Sequence, residues 1–200
     1  MIAGTAKGRR LRAPSGLRVR PMEDRIKEAL FNILGESVRG ARVLDLYCGS
    51  GSLGIEALSR GAEAAVLVDS WAQSVAAAQA NLQHTGLTER ARIYQADVRQ
   101  WVSRRKSGTP RSEGGFSLIF LDPPFRIDRQ DLATVLQDLA GSRLPADEAL
   151  LILQQPVRND PIAVSGLAIE DRRVYGDSAL IFYRREVGRR SSLRAGDDDD

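Results

Sequence analysis

The most specific run in the sequence is Asp122-Pro123-Pro124-Phe125. Consecutive prolines fix the backbone and remove two N–H donors. What remains is rich in acceptors: the Asp122 carboxylate and the Pro123 carbonyl, with the Phe125 ring beside them. An exocyclic amine on a nucleobase or amide is a weak nucleophile, because its lone pair is delocalised. Two acceptors that hold its two hydrogens turn that lone pair towards an electrophile. Phe125 can stack on the planar group, and proximity and orientation supply most of the rate. Without this chemistry, the same run is a strand terminator beside a core Phe.

A second run, Asp45-Leu-Tyr47-Cys48-Gly49-Ser50-Gly51-Ser-Leu-Gly54, contains Gly-x-Gly-x-x-Gly. Taken alone, that is a dinucleotide fingerprint, and Asp69 lies about 20 residues after Gly49, where a ribose-binding acid belongs. An NAD-dependent oxidoreductase is therefore one reading. Asp45 argues against it, because a carboxylate there would repel a pyrophosphate. A ligand with an ammonium and a sulfonium would be attracted, so the run suits S-adenosylmethionine. Asp69 can accept both ribose hydroxyls, and Asp97 can accept from the adenine amine. Each could equally cap the helix that follows it. Tyr47, Ser50, Ser70 and Ala96 are expected in the same pocket. The oxidoreductase would also need a hydride-transfer acid or base, and no Tyr-x3-Lys pair or well-placed His supplies one.

These runs need strands to present them. Helical spacing covers Asp24–Leu34, after Pro21 and before Gly35. Short apolar segments then alternate with helical ones. Strands are read at 42–47, 65–69, 92–94, 116–121 and 149–153, and helices at 53–59, 72–84, 98–104 and 131–140. The stretches 168–174 and 179–184, joined through Gly176-Asp177, read as a β-hairpin. Alternating strands and helices make an α/β, mostly parallel sheet covered on both faces. Such sheets bind ligands beyond the carboxyl ends of their strands, where both runs fall.

Composition narrows the class. Of 200 residues, 42% are hydrophobic and 28% charged, with a net charge of +3. No apolar run approaches the roughly 18–20 residues of a membrane span, and with no charged segment followed by an apolar one at its start, no secretory signal is expected. A cytoplasmic protein is expected. One Cys and one His exclude a disulfide framework and make a His/Cys zinc site improbable, so no metal is expected. Cys48 reads as a small filler, His84 as a partner for a helix C-terminus, and Trp71 and Trp101 as packing residues. Residues 1–25 hold seven basic side chains against two acidic ones, a basic arm suited to a polyanion. A non-catalytic RNA-binding factor is the second rival. The segment 188–200 has almost no apolar residues and is expected to be disordered.

With Ile2-Ala-Gly4-x3-Gly8-Arg-Arg10-Leu11, Arg18-x-Arg20-Pro21-x2-Asp24-Arg25, Gly54-x-Glu56-Ala57-Leu58 and Val174-Tyr175-Gly176-Asp177, the chain from about Ile2 to Arg185 resembles the RsmD family. Its members are bacterial methyltransferases of 16S ribosomal RNA. The resemblance implies a class I, Rossmann-like methyltransferase sheet of seven strands and a small N-terminal β-hairpin. It divides the chain into an arm at 1–21, a methyltransferase domain at 22–187 and the tail at 188–200. It implies S-adenosylmethionine as cofactor, a guanine N2 amine in 16S rRNA or the assembling small subunit as target, and a monomer. Amino-methylation of another base, such as adenine N6, is the alternative. Asp45, Gly49, Gly51, Asp69 and Asp97 then line the cofactor pocket and Asp122 to Phe125 the target pocket. Arg9, Arg10, Arg18, Arg20 and Arg25 face RNA, and Asp24 with Arg25 closes the methionine end. Met22 and Glu23 stand where the family usually has threonines, and Lys106–Gly115 looks like an expanded loop.

Overall fold

The computed structural model describes residues 1–13, 24–105 and 115–186. The elements are α1 (Asp24–Leu34), β1 (Arg42–Leu46), α2 (Ser52–Ser59), β2 (Ala64–Asp69), α3 (Ala72–Thr85), β3 (Ala91–Gln95), α4 (Val98–Ser103), β4 (Phe116–Leu121), α5 (Arg129–Gly141), β5 (Pro145–Pro156), β6 (Leu167–Tyr175) and β7 (Ser178–Arg185). The strands form one seven-stranded sheet in the order β3-β2-β1-β4-β5-β7-β6. β1 to β5 pair in parallel, while β7 runs antiparallel between β5 and β6. The parallel neighbours β1 and β4 place both chemical runs at adjacent strand ends.

Two apolar layers explain why the strands read as near-continuous hydrophobic runs. Val43, Leu67, Phe120 and Ile152 face α1, α2 and α3. Their sequence neighbours Leu44, Val68, Ile119 and Leu151 face α4 and α5. Both faces are buried, so alternation disappears. α1 sits where its spacing puts it, with Ile26, Leu30, Phe31 and Leu34 turned to the core.

β5 is longer than its apolar centre. At its start the pairing with β4 jumps from Phe116–Pro145 to Leu118–Leu150. This irregularity absorbs the strand-poor residues Ala146, Asp147 and Glu148, and Glu148 has a φ of 60°. At its end, Gln154, Gln155 and Pro156 pair with Leu180, Ala179 and Ser178. A neighbouring strand holds these polar residues in the sheet, a tertiary cause that propensity cannot reveal.

The basic arm is fastened to the body. Glu56, fully buried, accepts the Ile2 and Ala3 amides at 2.9 and 3.0 Å and Arg60 Nε at 2.8 Å. Ser59 Oγ accepts the Ala6 amide at 2.9 Å and donates to the Ala3 carbonyl. A Cβ on Gly4 would stand 1.8 Å from the Ser59 carbonyl oxygen, so only glycine allows this approach. Ala6 joins the core. The first 13 residues form turns, with no strand among them; the rest of the expected hairpin, Arg18 and Arg20, the tail at 188–200 and nearly all of the loop from Lys106 lie outside the described residues. Among the described residues no helix is long and apolar enough to cross a membrane.

Candidate active site

After β1 the chain turns sharply. Tyr47 has a φ of 61°, a left-handed conformation uncommon outside glycine. The Gly51 amide donates to the Cys48 carbonyl at 2.8 Å, and Gly51 precedes α2 with a φ of 78°. A Cβ there would lie 2.8 Å from Leu67 Cδ2. Asp69 ties the ends of β1 and β2 together. It accepts the Gly49 amide on Oδ2 and the Trp71 amide on Oδ1, each at 2.9 Å. A carboxylate offers about four acceptor positions, so capacity remains for hydroxyls. Asp97 caps α4, with Oδ1 accepting from the Gln100 amide at 2.9 Å, and its second oxygen retains acceptor capacity. Capping and pocket lining thus coincide at Asp97.

Burial shifts the titration of two carboxyls at the strand ends up to the neutral range. Asp45 is 1% exposed; Oδ2 accepts the Gly54 amide at 2.8 Å, and Oδ1 has no partner in the protein. Burial pushes its pKa up to about 8, against the pull of the Gly54 amide and with added repulsion from Asp122 and Asp69. Burial likewise raises Asp122 to about 7. A buried acceptor without a partner is costly, and a cationic ligand would relieve that cost. Burial also raises the Tyr47 phenol, with Asp97 and Asp131 adding to it, so it stays a donor.

An open cavity of about 1740 Å³ lies over these strand ends. That exceeds the roughly 300–1,000 Å³ of a single small-molecule site, leaving room for a cofactor and a second planar group. Tyr47, Gly49, Ser50, Asp69, Ser70 and Asp97 line it, as do Asp122, Pro123, Pro124 and Phe125. Phe125 is 46% exposed, free to receive a ring. Arg25 lines the cavity as well, whereas Asp24 pairs with Lys27 at 3.2 Å. Asp45 and Gly51 stand behind the wall, and the Ala96 amide is occupied by the Asp69 carbonyl at 2.9 Å.

Arg9 and Arg10 lie on the docked arm, where the Arg9 guanidinium bonds the His84 carbonyl in the last turn of α3. Asn81, fully buried, links the arm to the glycine turn: it exchanges bonds with the Arg12 backbone at 2.8 and 2.9 Å and donates to the Ser50 carbonyl at 2.9 Å. Cys48 is buried, and burial raises its thiol well above the ordinary range, which keeps it inert. Trp101 packs against Tyr94, with Arg105 4.1 Å from its ring centroid, while Trp71 lines the cavity. Sequence reasoning missed Gln154, Arg99, Arg126 and Tyr175 on the cavity lining. Gln154-Gln155-Pro156 closing an apolar strand was the available signal.

A parallel sheet with one antiparallel strand inserted next to its edge, carrying an acidic glycine turn on β1 and an acceptor corner on β4, defines a class I methyltransferase. The family model described as Conserved hypothetical protein 95 matches residues 1–184. The Ribosomal RNA small subunit methyltransferase D of Escherichia coli K12 is 32% identical over 94% of this chain and 90% of its own. An Escherichia coli structure, yhhF, described provisionally as a methyltransferase, superimposes with a TM-score of 0.80 at 32% identity, covering 93% of this chain and 97% of that one. A hypothetical protein of Thermus thermophilus, TTHA0928, has a TM-score of 0.73 at 32% identity, over 90% and 95%. The chain belongs to the family of Conserved hypothetical protein 95, which is the RsmD family, and it is a methyltransferase.

Proposed function

We propose that the protein transfers a methyl group from S-adenosylmethionine to the exocyclic N2 amine of a guanine in small-subunit ribosomal RNA. The observation that carries this reading is the acceptor corner Asp122–Phe125 on the same cavity as the glycine turn. Relatives acting on ribosomal RNA support the substrate class. They also support a cytoplasmic site of action, where ribosomal RNA is found. Family membership sets the oxidoreductase reading aside.

The cavity fits the cofactor on three counts. Asp45 Oδ1 is buried without a partner, Asp69 keeps acceptor capacity, and a Cβ on Gly49 would meet nothing within 4 Å, so the backbone there is open to a ligand. When bound, the cofactor supplies an electrophilic methyl on sulfur. Asp69 would then hold its ribose and Asp97 its adenine, while Asp45, just behind the wall, would draw its cationic end. Asp122 and the Pro123 carbonyl accept the two hydrogens of the target amine and turn its lone pair in line with the methyl. Phe125 stacks on the base. Once methylated, the amine is acidic enough to lose its proton without a strong base. To reach Phe125 the guanine must leave its stack or sit in an open RNA segment. The arm's arginines supply affinity through phosphates, which weakens as salt rises.

Labelled methyl from S-adenosylmethionine, offered to small subunits or 16S RNA lacking the modification, should appear as N2-methylguanosine on nucleoside analysis. Label in methyladenosine would refute the assignment.

A further inference from the structure

Among the described residues, Gln154 is the one side chain lining this large cavity with a buried polar atom left without a partner. It is 6% exposed. Its neighbour Gln155 also has a buried Oε1 without a partner, but Gln155 does not line this cavity, and its Nε2 donates to the Asn159 and Asp160 carbonyls at 2.9 and 3.3 Å, which anchors the loop after β5. Gln154 lies on the other face of the strand. Leu121 pairs with Leu153, so Asp122 and Gln154 follow side by side at the ends of parallel strands. Both line the cavity with Pro123, Pro124 and Phe125. An acceptor left bare in a packed site costs stability in the empty protein, and it is free to take a donor from a ligand.

We infer that Gln154 reads the Watson–Crick edge of the target base, its amide oxygen accepting the N1–H of guanine beside the amine that Asp122 and Pro123 hold. The inference rests on the guanine-N2 reading above and deepens it. Among the amino-bearing bases only guanine places a ring N–H next to its amine. Adenine presents N1 and cytosine N3, both bare acceptors, so a base held by its amine at Asp122 would turn a lone pair towards the Gln154 oxygen. The carboxylate–carbonyl corner by itself accepts any amine. Gln154 adds a contact that distinguishes between amines, because a site built to hydrogen-bond one group rejects the analogue that lacks it.

2-Aminopurine is the probe. It keeps the exocyclic amine of guanine and lacks the N1 hydrogen. After the methylated guanine has been located, RNA carrying guanine or 2-aminopurine at that position is compared by kcat/KM. The wild type should prefer guanine by roughly 10- to 100-fold, the range of one buried hydrogen bond. Gln154→Met, similar in length and shape, should bring the two substrates within about threefold by losing rate on guanine alone, with cofactor affinity unchanged. Gln154→Glu keeps an acceptor and should keep the preference, which maintains the test if the Met variant folds poorly. An equal loss on both substrates in Gln154→Met, or a preference abolished in Gln154→Glu, overturns the inference. A wild type that methylates another atom overturns the functional reading and the inference with it.

Discussion

Replacing Asp45 with Asn should make the ligand-free protein more stable at neutral pH and weaken its hold on a cationic cofactor. The Asp45 carboxyl is raised from 3.8 to about 8 in the fold. Between pH 5 and 7 the unfolded chain has released this proton while the folded protein keeps it. The fold therefore holds more protons than the unfolded state, and stability falls as pH rises through this window. Each unit costs about 1.4 kcal/mol, so Asp45 alone removes about 3 kcal/mol between pH 5 and 7. For a chain of this size that is roughly 6–12 °C in Tm. Asp122, raised to about 7, contributes a slope of its own that remains in the variant. Asn still accepts from the Gly54 amide but carries no proton to lose, so its stability curve should be about half as steep. Cofactor affinity should fall roughly 10- to 100-fold, the scale of a hydrogen bond to a charged group, and wild-type affinity should rise with pH up to about 8 as the carboxyl ionises. Thermal unfolding from pH 5 to 8 and calorimetric titration with S-adenosylmethionine read both effects. Parallel stability curves for the two proteins, or equal affinities, would refute the reasoning.

Three further outcomes are expected. Asp122→Ala should lower methyl transfer roughly 100- to 1,000-fold, as loss of one positioning group does, while cofactor affinity changes less than about threefold; radiometric transfer beside calorimetry separates the two. Gly51→Ala should lose about 2–5 kcal/mol, from the left-handed φ and from overpacking against Leu67 and Ile55; denaturant midpoints report it, and an unchanged midpoint contradicts the packing. Replacing Arg9, Arg10 and Arg12 together by Gln should flatten the salt dependence of RNA binding by roughly 2 in log–log slope, less than three full contacts because Arg9 is already engaged by His84.

Much of the fold could be read from the sequence because its signals are local. Apolar spacing places α1 at Asp24–Leu34, and buried parallel strands announce themselves as unbroken apolar runs. The ends of those runs carry Gly49, Gly51 and Asp122–Phe125, so the chemical groups of the cavity were visible before their arrangement. The arm's charge was equally plain. Its attachment was not, because Glu56, Ser59 and Asn81 accept from backbone amides more than 50 positions away, and backbone donors leave no trace in composition.

By itself, the sequence determined which side chains could hold an amine and a cationic cofactor, and that strand ends would present them. Only the tertiary structure decided that Asp45 lies behind the pocket wall, that Asp69 and Asp97 spend part of their acceptor capacity on backbone amides, and that β7 carries β5 on to Gln154. The division has one physical cause. Residue type and spacing specify donors, acceptors and periodicity, whereas burial and the partner each polar atom finds depend on chain segments that meet only in the folded protein.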